Sequence, residues 1–168
     1  MASRCDGRGY RGAPMTVYLV RHGSAGSRND ADPTDRDRPL DDVGRVQAAK
    51  LTEWLRHERL GRILTSPYRR CVETIEPLAA ATGITPEHCD WLGEQARIDQ
   101  SWKVLEEVAE GVAVVCSHGD VIPDLIRRAQ LRGMHVPGKS GCAKGSVWSL
   151  EHWDGERFAT GIYTPIPG

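Results

Sequence analysis

The chain has 168 residues, 39% of them hydrophobic, which suits one ordinary globular domain with a core of its own. Its 22 basic and 23 acidic residues leave a formal net charge of −1, so nothing in the overall balance attracts a nucleic-acid polymer or an anionic membrane surface. The five cysteines (Cys5, Cys71, Cys89, Cys116 and Cys142) are scattered without a CxxC pair, which argues against a disulfide framework and a zinc site and for reduced thiols in the cytoplasm.

Residues 1–14 mix Gly, Arg and polar side chains without periodicity and lack the apolar stretch of a secretory signal. They are expected to form a tail, with Met15 as an alternative start and residues 15–168 as a single domain. No later run reaches the roughly 18 apolar residues of a membrane span. From Thr16 onward, β-rich runs alternate with amphipathic stretches, the pattern of an α/β domain with a largely parallel sheet. Thr16 to Val20 is apolar and β-branched throughout, as a strand buried on both faces should be. A helix is expected over Val43 to Glu58, capped by Asp41 or Asp42 and closed by Gly61, followed by a strand over Arg62 to Thr65. Ser66-Pro67 reads as a helix opening, with Ser66 as N-cap and Gly83 ending the helix after Thr82 unless Pro77 breaks it earlier. A short strand near Cys89 to Leu92 and a helix near Ser101 to Glu110 precede a clear strand, Val112 to Ser117, and a helix, Val121 to Arg132. Asp154-Gly155 marks a hairpin between Ser146 to His152 and Arg157 to Tyr163.

Arg21-His22-Gly23 follows the first strand directly, and Ser117-His118-Gly119-Asp120 follows another. Ligands of open α/β sheets bind at the carboxyl ends of parallel strands, so neighbouring strands would bring His22 and His118 together. Phosphoryl transfer suits such a pair. With an unperturbed pKa of about 6.5, imidazole is largely neutral and nucleophilic at pH 7, and nearby arginines would favour the neutral form while gripping phosphoryl oxygens with forked donors. Arg21 adjoins His22, and Arg70 lies one turn into the helix that Ser66-Pro67 opens.

The segments VYLVRHG (17–23), SPYRRCVET (66–74) and VVCSHGDVI (114–122) together resemble the histidine phosphatase superfamily, the phosphoglycerate mutase-like family. The short form with RPLDDVGRVQA (38–48) is similar to SixA-type phosphohistidine phosphatases and to the phosphatase half of certain actinobacterial Nudix fusion proteins. The resemblance implies a three-layer α/β/α sandwich with a mostly parallel central sheet and a metal-independent, cofactor-free hydrolase. It implies a phosphohistidine intermediate on His22, with phosphate held by Arg21, Arg70 and His118, and substrate contacts from Gly23, Arg38, Gly119 and Asp120. Arg70 rather than Arg69 fits the family spacing, which leaves Arg69 on the surface. For the proton donor the resemblance favours Glu94, with Asp120 as the alternative, and a phosphohistidine substrate would need no strong acid. The substrate is expected to be protein phosphohistidine or a small phosphomonoester or nucleotide. A mutase and a non-catalytic binder of phosphorylated ligands remain the competing readings.

His57, His88, His135 and His152 are expected at the surface, and Trp102 could line the pocket mouth. Specificity is expected to lie in the loops Ala25 to Pro39, Glu94 to Ser101 and Met134 to Lys144. The last belongs to a glycine-rich stretch, Gly133 to Gly145, that reads either as a flexible basic loop over the site, with Lys139 and Lys144, or as an ordinary solvated connection.

Overall fold

The computed structural model describes residues 15–29 and 31–166, so the expected tail, the Met1 or Met15 question and Cys5 lie outside the described residues. Its strands are β1 (Thr16–Arg21), β2 (Arg62–Thr65), β3 (Glu87–His88), β4 (Val112–Ser117), β5 (Val147–Trp153) and β6 (Phe158–Thr164). Its helices are α1 (Asp42–Leu55), α2 (Arg69–Thr82), α3 (Ile98–Val108) and α4 (Ile122–Leu131). The strands form one sheet in the order β3-β2-β4-β1-β5-β6. The pairs β3-β2, β2-β4 and β4-β1 are parallel, whereas β5 and β6 add an antiparallel hairpin beside β1.

Side chains alternate across a strand, so each strand feeds two cores. Val17, Leu19, Leu64, Val115 and Leu150 pack with Leu105 of α3 and Leu125 of α4. Tyr18, Val20, Ile63 and Val114 pack on the opposite face with Leu51 and Leu55 of α1 and Ile75 and Leu78 of α2. The result is the expected three-layer sandwich.

Several local expectations shift for identifiable reasons. α1 is capped by Asp41, whose carboxylate accepts from the Gly44 N–H, but it ends at Leu55. Gly61 does not close it, because its N–H is drawn into the sheet by the Val112 carbonyl. Gly83 ends α2 at φ 75°, and Pro77 sits inside α2 without breaking it because it lies on the exposed side, where water can replace the lost bond. The strand expected at Cys89 to Leu92 forms two residues earlier, and Asp90–Leu92 winds into a 3₁₀ turn that buries Leu92. Likewise α3 starts at Ile98 rather than Ser101, whose hydroxyl instead donates to the Trp91 carbonyl.

Candidate active site

β1 and β4 run parallel with Arg21 opposite Ser117, so the next residue on each strand is a histidine facing the same edge. The His22 and His118 rings lie 5.3 Å apart, almost fully buried. His22 Nδ1 is 2.8 Å from the Gly23 carbonyl oxygen, which can only accept. Nδ1 therefore carries the hydrogen, and Nε2 keeps its lone pair. Burial pushes the His22 pKa down to about 3; the bond to Gly23 opposes that shift and the charges of Arg70, Arg21 and Lys144 add to it. At pH 7 the ring is neutral and nucleophilic.

His118 is held from below by Ser66, with 2.8 Å from Oγ to Nε2. The Ser66 hydroxyl accepts the Tyr68 N–H and keeps a hydrogen that it can donate to Nε2, an arrangement in which His118 Nδ1 is the N–H donor. Burial, then the neighbouring His22, Arg70, Arg21 and Arg28, push the His118 pKa down to about 2. Ser66 is thus not the N-cap of α2, whose N-cap is Tyr68 without a side-chain bond. The Ser-Pro pair serves instead to bring a hydroxyl under the imidazole.

Arg70 is fully buried on the first turn of α2. Its Nη1 donates to the Asp35 carbonyl at 3.0 Å and its Nη2 to Glu94 Oε1 at 2.5 Å, and its guanidinium lies over the Tyr68 ring. Arg21 Nη1 donates to the Cys142 carbonyl at 2.5 Å. Arg69, one position before Arg70, is exposed and paired with Glu73, as expected.

Four buried side-chain polar atoms among the described residues lack a partner: Arg21 Nε, Arg70 Nε, His118 Nδ1 and Trp102 Nε1. Three of them belong to the two arginines and the second histidine. An unmet buried donor costs about 1–3 kcal/mol, so these three groups are poised to gain from an incoming anion. Arg21 and Arg70 line a cavity of about 340 Å³ together with His22, Gly26, Arg28, Arg38, Glu94, Gly119, Asp120 and Lys144, and His118 stands beside it against the His22 ring.

The expected contact residues divide. Gly119 lines the cavity, and a Cβ there would stand 2.7 Å from Arg21 Cζ, so a glycine lets the guanidinium pass over it where it lies. Arg38 reaches the cavity but is tied to Asp35 and to the Ala25 carbonyl. Glu94 Oε1 lies 3.7 Å from His118 Nδ1, and its Oε2 is 3.5 Å from Arg28. Asp120 borders the cavity, yet its Oδ2 accepts the Gln95 N–H at 2.8 Å and so grips the Glu94 loop, where Gln95 adopts a left-handed φ of 60°. Gly23 donates its N–H to Thr74 Oγ1, orients His22 through its carbonyl and packs on Gly44. Trp102 lies in the core, away from the mouth. His57, His88, His135 and His152 are exposed, as expected.

Ser66, Thr74 and Asp35 escaped the sequence reading as site residues. Ser66 and Thr74 lie within the SPYRRCVET segment, whereas nothing local marks the Asp35 carbonyl. Arg28 and Lys144 fall in two of the expected specificity loops. The loop at Lys144 is pinned rather than free, because the Gly145 N–H bonds the carbonyls of Arg21 and His22, and Tyr163 and Trp148 hold Ala143 and Gly141.

A family model described as Histidine phosphatase superfamily (branch 1) matches residues 17–96, from β1 to the Glu94 loop. The chain is 37% identical over 155 residues to an 8-oxo-(d)GTP phosphatase of Mycolicibacterium smegmatis. That match takes in 89% of this chain and 48% of the relative, so the chain spans about half the length of the curated relative it matches. It superimposes on the protein histidine phosphatase SixA complexed with tungstate at a TM-score of 0.70 and 19% identity, covering 90% of this chain and 95% of that one. It superimposes on a mycobacterial glucosyl-3-phosphoglycerate phosphatase at 0.62 and 23% identity, covering 89% and 96%. At such identities these likenesses speak for the α/β fold alone. The RHG segment and the buried arginine of α2 meet at one cavity, with the histidine after β4 beside His22, and the segment that carries the first two, residues 17–96, belongs to the histidine phosphatase superfamily.

Proposed function

We propose that this chain is a phosphatase that transfers a phosphoryl group to His22 and then to water, without a metal ion. The observation that carries the proposal is the pair of unmet buried Nε donors on Arg21 and Arg70 at the cavity lined by the neutral His22 ring, with the unpartnered Nδ1 of His118 beside that ring. In this mechanism the Nε2 lone pair attacks phosphorus while the Gly23 carbonyl steadies Nδ1–H. Arg21, Arg70 and His118 stabilise the charge on the equatorial oxygens in flight. Glu94 gives a proton to the departing oxygen and then takes one from the attacking water. Its seat between Arg70 and His118 supports that role, whereas Asp120 is engaged with the Gln95 N–H. When the phosphoryl group replaces Glu94 on Arg70, the freed carboxylate takes up from solvent the proton that it passes to the departing oxygen. Candidate substrates are protein phosphohistidine and small phosphomonoesters or nucleotides.

The test is to trap the intermediate. Brief exposure to ³²P-labelled substrate should leave acid-labile label on the wild-type protein and none on His22→Ala, which should also lose turnover. Undiminished turnover in His22→Ala would sink the proposal. Isomer formation instead of phosphate release would indicate a mutase.

A further inference from the structure

The clamp accounts for Arg21 and Arg70, but the same cavity is bordered by three further cations that a single phosphoryl group does not need, Arg28, Lys144 and Arg38, of which Arg38 is tied to Asp35 and the Ala25 carbonyl. Lys144 has no ion-pair partner among the described residues. The Asp41 carboxylate feels its charge but is already occupied by the Ser24 hydroxyl and the N–H groups of Gly26 and Gly44. Nor is Lys144 a mobile surface lysine. Gly145, at φ 77°, ties its N–H to the carbonyls of Arg21 and His22, and the Cys142 carbonyl holds the Arg21 guanidinium. The backbone on both sides of Lys144 is thus bonded to the RHG segment itself, which fixes the base of a side chain that lines the cavity. Arg28 lines the same cavity, with Nη2 3.5 Å from Glu94 Oε2, so its charge also bears on an anion bound there.

We infer that Lys144 and Arg28 form a second anion subsite beside the phosphate clamp, which favours substrates whose leaving group carries its own negative group next to the bond that breaks. This rests on the phosphatase reading above. Phosphoanhydrides, as in nucleoside diphosphates, place that second charge one bridging oxygen from the transferred phosphorus; phosphorylated carboxylic acids place it a few bonds further. For an anhydride, the His22 Nε2 lone pair forms the N–P bond, the bridging P–O bond breaks, and its electron pair stays on the leaving phosphate. That leaving anion is stabilised by Lys144 and Arg28. Water then attacks phosphorus, the N–P electron pair returns to Nε2, and the proton of the water passes to the Glu94 carboxylate.

The experiment compares kcat/KM for p-nitrophenyl phosphate, ADP and 2-phosphoglycolate in the wild type, Lys144→Met and Arg28→Met, which keep the side-chain bulk and remove the charge. The ratio of ADP to p-nitrophenyl phosphate should fall tenfold or more in Lys144→Met and by a smaller factor in Arg28→Met, and the wild-type preference should shrink as salt is raised. A fall confined to 2-phosphoglycolate would make the second group a carboxylate. Equal losses on all three substrates, or none, would overturn the subsite. In parallel, thermal shifts with pyrophosphate and with orthophosphate read binding without turnover. Tighter binding of pyrophosphate, abolished by Lys144→Met, supports the subsite even if the protein hydrolyses nothing. Equal affinity for the two anions overturns it even if the protein is a phosphatase.

Discussion

Gly119→Ala tests how the clamp is built. Gly119 has no left-handed φ to explain it, so its need is purely spatial: a built Cβ meets Arg21 Cζ at 2.7 Å, Nη2 at 2.8 Å and Nε at 2.9 Å. Comfortable contact at such atoms is about 3.5–4.0 Å, so the guanidinium would have to retreat by about 1 Å. It cannot do so freely, because Nη1 is bonded to the Cys142 carbonyl at 2.5 Å. A misplacement of that size at a charge-stabilising group costs about 10²-fold, equivalent to about 2.7 kcal/mol of transition-state stabilisation. The loss should appear in kcat/KM for p-nitrophenyl phosphate and in the affinity for tungstate. The melting temperature should move by no more than about 3 °C, since removing a glycine also lowers the entropy of the unfolded chain. In Arg21→Ala the substitution should add nothing further, because the group it displaces is gone. Activity within threefold of wild type in Gly119→Ala, or losses that add fully in the double variant, would refute this account of Gly119.

Asp120→Ala frees the Gln95 N–H and lets the strained 94–95 segment relax, so kcat for substrates with poor leaving groups should fall about tenfold through misplacement of Glu94. Asp120→Asn keeps an acceptor and should retain most activity, and Gln95→Gly, which removes the strain, should recover part of the loss in Asp120→Ala. Equal damage from Asn and Ala would show that Asp120 acts by charge or proton transfer instead. The two buried histidines also govern acid stability. Their folded pKa values, about 3 and about 2, lie below the unfolded value of about 6.5, so as pH falls below 6.5 the unfolded chain binds protons that the folded one does not. Stability should therefore decline between pH 6.5 and 4.5, by up to about 1.4 kcal/mol per pH unit for each histidine. Scanning calorimetry across that window should show a falling melting temperature, with a shallower slope in His118→Asn; a flat profile would contradict the burial of the two rings.

The fold and half of the site were legible because their signals are local. β2 and β4 match the bounds read from their apolar, β-branched runs, and the turn at Asp154-Gly155 announces the hairpin. The two histidine segments follow strands whose burial is written in their own composition, and once β1 and β4 are parallel neighbours His22 and His118 must meet. Pairing and close approach between distant segments were not legible. Whether Ser66 caps a helix or supports an imidazole depends on His118, 52 residues away. Whether Asp120 donates a proton or anchors the Glu94 loop depends on where the Gln95 N–H lands, and whether the glycine-rich loop moves or is pinned depends on the carbonyls of Arg21 and His22. The chain's own periodicities determined which residues enter strands and helices, because burial acts on each element face by face. Only the tertiary structure decided which polar groups are satisfied by protein and which are left waiting for an anion, because that balance is set between elements far apart along the chain.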